Sequence, residues 1–224
     1  MARLVDCATD LTRHDRMLDL TGGDTAALAE ITDAQNTILA QATPDLPEMA
    51  RLAVHRQALT DRNSNIPTDL PAIWARLGHT SRAEQLARAI TDPSAQARAL
   101  AAVAGVLAEA GEHARAEQVA RTITDPYTQA QALTAVAGAL AEAGEHARAE
   151  QVARTITSPS AQARALAAVA AALAQAGVAG RARRLVGAAL SIGGWPSLPL
   201  AAVATVDLDV VRTIADALKA TQAS

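Results

Sequence analysis

The sequence predicts an all-α protein, an α-solenoid of helix-turn-helix repeats, and three observations carry that expectation. The stretch Gly111–Ala143, GEHARAEQVARTITDPYTQAQALTAVAGALAEA, starts again almost unchanged at Gly144, which sets a period of 33 residues. The same offset links Arg82, Arg115 and Arg148, and it links Pro93, Pro126 and Pro159. Every well-patterned stretch carries its apolar residues at the helical spacing i, i+3, i+4, i+7, and none alternates as a strand does. A period of roughly 20–50 residues marks a stacked-repeat protein, in which each unit buries its apolar stripe only against its neighbours.

Composition narrows the chemistry. The chain has 224 residues, half of them hydrophobic, yet aromatics are 1% and Phe is absent. Its core must therefore be aliphatic and largely alanine, a composition that favours helices. The net charge of −3 and pI near 5.9 argue against a general nucleic-acid or membrane-surface binder. Nineteen basic residues are Arg and only Lys219 is Lys, a bias expected of a high-GC bacterial genome. Cys7 is the sole cysteine, which excludes an intramolecular disulfide and a Cys-based zinc site and leaves a free thiol. The start MARLVDCATD lacks an apolar signal region and no run of about 18 apolar residues occurs, so the expected location is cytoplasmic.

Taken in order, residues 1–66 form degenerate helical repeats, 67–190 the regular 33-residue repeats and 191–224 capping helices. A long helix opens at Asp24-Thr25 and runs to about Ala42, marked by Leu28, Ile31, Ile38 and Leu39; Thr43-Pro44-Asp45-Leu46-Pro47 breaks it. The next helix runs from Pro47 to about Leu59. The polar stretch Arg62–Pro67 reads as a flexible joint. Leu70, Ile73, Trp74 and Leu77 then form a short helix ending at Gly78, which is in register with Gly111. Trp74 accordingly takes the position held later by Leu107 and Leu140.

One regular copy contains two helices. Asp92 is the N-cap and Pro93 the first helical residue, where a missing N–H costs nothing. Leu100, Val103, Ala104 and Leu107 share one face, and Gly111 ends the element in the left-handed conformation. In the second helix Ala116, Val119, Ala120 and Ile123 repeat the stripe, with Glu117 and Arg121 paired at i,i+4 on the outer face. Glu84 with Arg88 and Glu150 with Arg154 do the same. Alanine at the buried positions lets helix axes approach toward the short end of the roughly 8–10 Å range.

After Gly177 the pattern loosens. Arg181–Leu190 still reads as a second helix, but Ser191-Ile192-Gly193-Gly194-Trp195-Pro196 replaces the Thr-Asp-Pro turn. Trp195 is expected over the end of the stack. A last helix, Asp209–Lys219, puts Val210, Val211, Ile214 and Leu218 on one side, as a capping helix requires.

The copy starting at Ala97 resembles the tetratricopeptide (TPR) family, whose consensus is W-x2-L-G-x2-Y…A-x3-F…P. Leu100 falls at the Trp, Val103 at the Leu, Ala104 at the Gly, Leu107 at the first Tyr, Ala116 at the small residue and Ala120 at the Phe. The small positions fit; the large aromatics are replaced by Leu and Ala. Pro126 arrives about two residues early for the family's 34-residue unit. The Thr21-Gly22-Gly23-Asp24 turn and the Thr-Pro-Asp-Leu-Pro break resemble longer variants of bacterial signalling proteins, over the first quarter of the chain. The Gly-Gly-Trp-Pro…Leu-Pro-Leu ending resembles the close of other bacterial repeat proteins, which implies a C-terminal end. The resemblance implies a right-handed solenoid whose first helices line a concave groove. Carried over, it places Arg98, Gln131 and Arg164 along one edge and Glu109, Glu142 and Gln175 along the other. Between them come Ala101, Thr134 and Ala167, then Gly105, Gly138 and Ala171.

No reactive motif occurs: there is no H-E-x-x-H, no phosphate-binding Walker loop and no G-x-S-x-G. His79, His113 and His146 invite a metal reading, but His113 and His146 are one repeat position and read as structural or solvent-facing. Gly22-Gly23 and Gly193-Gly194 read as turns, and Asp10, Asp15 and Asp19 as a solvated helix face. The expected function is therefore non-enzymatic, a protein-interaction scaffold that binds a peptide or helix and needs neither cofactor nor metal. A structural spacer or oligomerisation module is the alternative. An RNA-reading helical repeat comes third, since it would need a basic groove and polar pairs that vary from repeat to repeat.

Overall fold

A computed structural model describes residues 2–21, 24–194, 196 and 198–222, with side chains at 5–16, 24–194, 196 and 198–220. It is 80% helix, with no strand among the described residues, so the all-α class is correct. The chain forms two compact units, Met1–Val103 and Ala104–Ser224, and the division falls inside α7 (Pro93–Glu109).

The first unit holds α1 (Ala2–Ala8), α2 (Leu11–Thr21), α3 (Thr25–Leu39), α4 (Leu46–Ser64), α5 (Leu70–Arg76), α6 (Thr80–Ala89) and the start of α7. Val5, Ala8, Ala27, Ile31, Ala34, Ile38, Leu52 and Leu59 make its N-terminal core, with Leu28 and Met49 packed at the edge. α3 stops at Leu39, three residues before the expected Ala42. Its inward stripe ends at Ile38, and Leu39 is already exposed.

Beyond Leu59 the expectation needs correction, because α4 continues through Arg62 and Asn63 to Ser64 and only the residues after it are free to turn. Tertiary contacts hold that last turn in place. Arg62 reaches the fully buried Asp24 through Nε at 2.7 Å and a second, shorter contact, and reaches Asp15 at 3.0 Å. A buried carboxylate is tolerated only when paired in this way. Asp24 raises the Arg62 guanidinium pKa above its ordinary value, against the opposing effect of burial. Asp15 is 66% exposed, so this pairing sits on the solvated face that the sequence predicts. Asp10 is exposed as well, and its carboxylate accepts the Arg13 N–H at 3.2 Å and so caps α2. Gly22, Gly23, Trp195 and the Asp19 side chain lie outside the described residues.

The second unit holds the rest of α7, then α8 (His113–Arg121), α9 (Pro126–Glu142), α10 (His146–Thr155), α11 (Pro159–Gln175), α12 (Ala179–Ile192), α13 (Leu200–Val206) and α14 (Leu208–Gln222). α9 packs against α8, α10 and α11; α11 packs against α10, α12 and α13; α14 packs against α13. Leu107, Val119, Val136, Leu140, Val152, Leu166 and Leu173 are among the large buried side chains, and many of the other buried positions are alanine. α13 was not expected as a separate helix. It follows Pro199 as α11 follows Ser158-Pro159, and it packs on α11 as α11 packs on α9. The longer connection, residues 193–199, displaces it from the 33-residue register.

The first helices, short α5 as well as the longer α7, α9 and α11, end in the same way. Gly78, Gly111, Gly144 and Gly177 have φ between 78° and 82°. The next residue's N–H reaches five residues back, from His79 to Trp74, Glu112 to Leu107, Glu145 to Leu140 and Val178 to Leu173, at 2.8–3.0 Å. This is the Schellman C-cap, and its left-handed residue explains the spacing of the glycines. The starts are capped as expected at Asp92 and Asp125, whose carboxylates accept Ala95 and Thr128 N–H at 2.7 Å. Hydrogen bonds from the Thr128 hydroxyl and N–H hold the Asp125 carboxyl below its usual range. Ser158 takes the same place in α11 without a side-chain cap bond. Trp74 holds the register position of Leu107 and Leu140 but differs in burial: it is half-exposed, with the Arg82 guanidinium 4.3 Å above its ring and His79 edge-on at 5.2 Å.

Candidate functional site

The outward positions of α9 and α11 carry the candidate surface of the second unit. Gln131 is exposed and Thr134 half-buried, its hydroxyl donating to the Ala130 carbonyl at 2.7 Å. Such a bond satisfies the hydroxyl within its own helix, so Thr134 offers mainly a methyl group outward. Gly138 is half-covered, and a methyl group there would meet no atom within 4 Å. Glu109, Glu142 and Gln175 are exposed near the C-terminal ends of their helices. Arg98 is exposed too, and lies in the first unit. Arg164 differs from its counterparts in being half-buried, with Nε buried and unpaired, and Ala167 is fully buried. The row from Gln131 to Arg164 thus runs from open to covered as the chain advances.

The hairpins of the second unit are tied together by a ladder that the sequence reading missed. Glu117 and Glu150 do not lie on the outer face; each is only 18% and 16% exposed. Glu117 holds Arg121 at 2.7 Å within its helix and Arg148 of the next hairpin at 3.4 Å. Glu150 repeats the arrangement with Arg154 at 2.9 Å and Arg181 at 2.8 Å. Burial pushes the Glu150 carboxyl up, yet the hydrogen bonds and charges of Arg181 and Arg154 together outweigh it and leave the group below its ordinary value. A second rung joins His113 Nδ1 to Glu145 Oε1 at 2.9 Å, and that hydrogen bond is the main cause of the lowered Glu145 pKa.

A third recurring device is the glutamine three residues into each first helix. Gln129 Nε2 donates to the carbonyls of Arg121 at 3.1 Å and Ile123 at 2.8 Å, and Gln162 donates to that of Arg154 at 2.9 Å. Gln96 does the same in the first unit with Arg88 and Ile90. These bonds satisfy carbonyls left open where the preceding helix ends. The signal was present in the sequence as Gln at 96, 129 and 162, always three places after the proline.

His79, His113 and His146 are not brought together as a metal centre. His113 is buried against Glu145, His79 meets Trp74 edge-on, and His146 is half-buried with Nδ1 unpaired. Among the described residues no three His, Cys, Asp or Glu side chains converge to hold a metal ion. Cys7 is an exposed free thiol whose sulfur lies 2.7 Å from the Arg13 guanidinium. No helix is long and apolar enough to cross a membrane. Comparison with protein-family models, with curated proteins and with solved structures finds no match to this chain in any of the three.

Proposed function

We propose that the chain is a non-enzymatic protein-interaction scaffold of a bacterial cytoplasm, a right-handed TPR-like α-solenoid that receives a peptide or helix on the outward positions of its first helices. The observation that supports this most is the recurrence of the same rung at a fixed interval: Glu117 to Arg148 and Glu150 to Arg181, each spanning 31 residues. Hairpins joined by one repeated contact stack by one repeated displacement, which is the construction rule of a solenoid. The surface so produced is extended, small-floored at Gly138 and Ala171, and edged by Gln131 on one side and by Glu109, Glu142 and Gln175 on the other. An extended segment or helix with basic groups facing the acidic edge fits it.

The spacer or oligomerisation reading draws on a different observation. Ala167 is buried and Arg164 half-buried by the chain itself, so that end of the row is closed to a partner. Affinity capture with the full chain, followed by calorimetry on the recovered protein, separates the two. Glu109→Arg with Glu142→Arg is expected to weaken binding by about tenfold or more. The melting temperature should stay nearly unchanged, since exposed charges contribute little to stability. Unaltered affinity in that variant would remove the acidic edge from the function. Failure to recover any repeatable partner would favour the spacer.

A further inference from the structure

His14 of α2 is fully buried, and neither of its ring nitrogens finds a hydrogen-bond partner. A buried imidazole without an acceptor is costly in its neutral form and far more so when charged. An aromatic neighbour is a second histidine, His55 of α4, with ring centroids 6.2 Å apart and the planes at 76°. His55 lies at the edge of an open cleft of about 400 Å³ formed with Pro47, Ala50, Arg51 and Val54, so protons reach it from solvent. A positive charge placed on the fully buried His14 has no water around it and faces the second imidazole rather than a carboxylate.

The two nearby acids each already carry an arginine partner. Asp24 is held by Arg62, and Glu30 pairs with Arg13 at 2.6 Å, although its second carboxylate oxygen is buried and free. Arg13, on the same helix as His14, adds a further positive charge nearby. α6 also packs against α2, but Arg82 covers Trp74, and Glu84 pairs with Arg88 at 2.9 Å. Burial first, and the neighbouring His55 second, lower the His14 pKa from 6.5, while Glu30 and Asp24 oppose them.

We infer that His14 and His55 form an acid-sensitive latch that releases α2 from α3, α4 and α6 of the first unit as pH falls. The sign follows from the lowered pKa. The folded arrangement favours neutral His14, so α2 is fully docked above 6.5 and loses stabilisation as pH falls below it toward the folded-state value. Among the described residues, the charged ties that hold α2 to α3 and α4 are Arg13 to Glu30 and Asp15 to Arg62, both at the solvent edge.

Hydrogen exchange read by mass spectrometry on the full chain, corrected for the intrinsic pH dependence, tests this. Between pH 7.5 and 5.0 the amides of Leu11–Thr21 should exchange about tenfold or more faster, while those of α11 keep their protection. His14→Leu should abolish the acid-specific change. His55→Gln should shift its midpoint to lower pH, and this second variant serves if the first does not fold. Unchanged α2 protection in the native chain would overturn the latch. So would equal acceleration in α2 and α11, or an acid response unaffected by the variants that fold.

Discussion

His113 and Glu145 meet at 2.9 Å across successive hairpins, whereas His146, the next histidine in register, has no partner for its buried Nδ1. The residue that stands to His146 as Glu145 stands to His113 is Val178. The ladder is thus interrupted by one side chain.

Val178→Glu is expected to supply the missing acceptor and raise the melting temperature by about 2 °C, the effect of one net hydrogen bond in a chain of this size. A lowered melting temperature would show that the interval, not the side chain, has changed. The existing rung carries its own acid signature. Because His113 depresses the Glu145 pKa below 4.5, the contribution is complete above that value and fades as pH falls through the folded-state pKa. Stability measured from pH 7 to pH 3 should therefore fall less steeply in Glu145→Gln than in the native chain.

Two glycines six residues apart should respond oppositely to the same change. Gly144 has φ +80°, so Gly144→Ala should cost about 1–2 kcal/mol. Gly138 lies inside α9 with open space around its missing side chain, so Gly138→Ala should stabilise by about 0.5–1 kcal/mol. Urea denaturation of both variants checks the pair.

Gln129→Ala removes both carbonyl bonds at the end of α8 and should cost about 1–2 kcal/mol. Gln129→Glu should be worse than Ala, because a carboxylate cannot donate to either carbonyl. If Gln129→Glu matches the native chain in denaturation, the role assigned to this residue fails.

Removing 194–224 deletes α13 and α14 and uncovers the faces of α11 and α12 on which α13 packs. The truncated chain should associate at micromolar concentration in analytical ultracentrifugation, since repeat arrays need a covered end. A monomer of unchanged stability would deny these helices a capping role.

The helices were legible because the apolar stripes, the Asp-Pro starts and the glycine stops all pointed to the same boundaries. Gly78, Gly111, Gly144 and Gly177 needed nothing beyond local backbone chemistry to be read correctly. Boundaries set by distant residues were not legible. The last turn of α4 looked like a joint because its anchor, Asp24, stands 38 residues earlier. The outward glutamates were misread for the same reason: Glu117 and Arg121 satisfy the i,i+4 rule, and nothing local reports that Arg148 also takes that carboxylate. At the candidate surface, residue type and spacing gave the exposed Gln131 and Glu142 but could not foresee that Arg164 and Ala167 would be covered.

The ladder contacts of the second unit share one property: Glu117 to Arg148, Glu150 to Arg181 and His113 to Glu145 each join a residue to another 31 or 32 places ahead. Such a pattern has no origin. A duplicated block of 33 codons inserted at Gly144 would find every acceptor and donor already waiting, and an excised block would leave its neighbours matched to each other. Length in this protein is accordingly a quantity that recombination between near-identical stretches of its gene can change in whole steps, with no new interface to be invented.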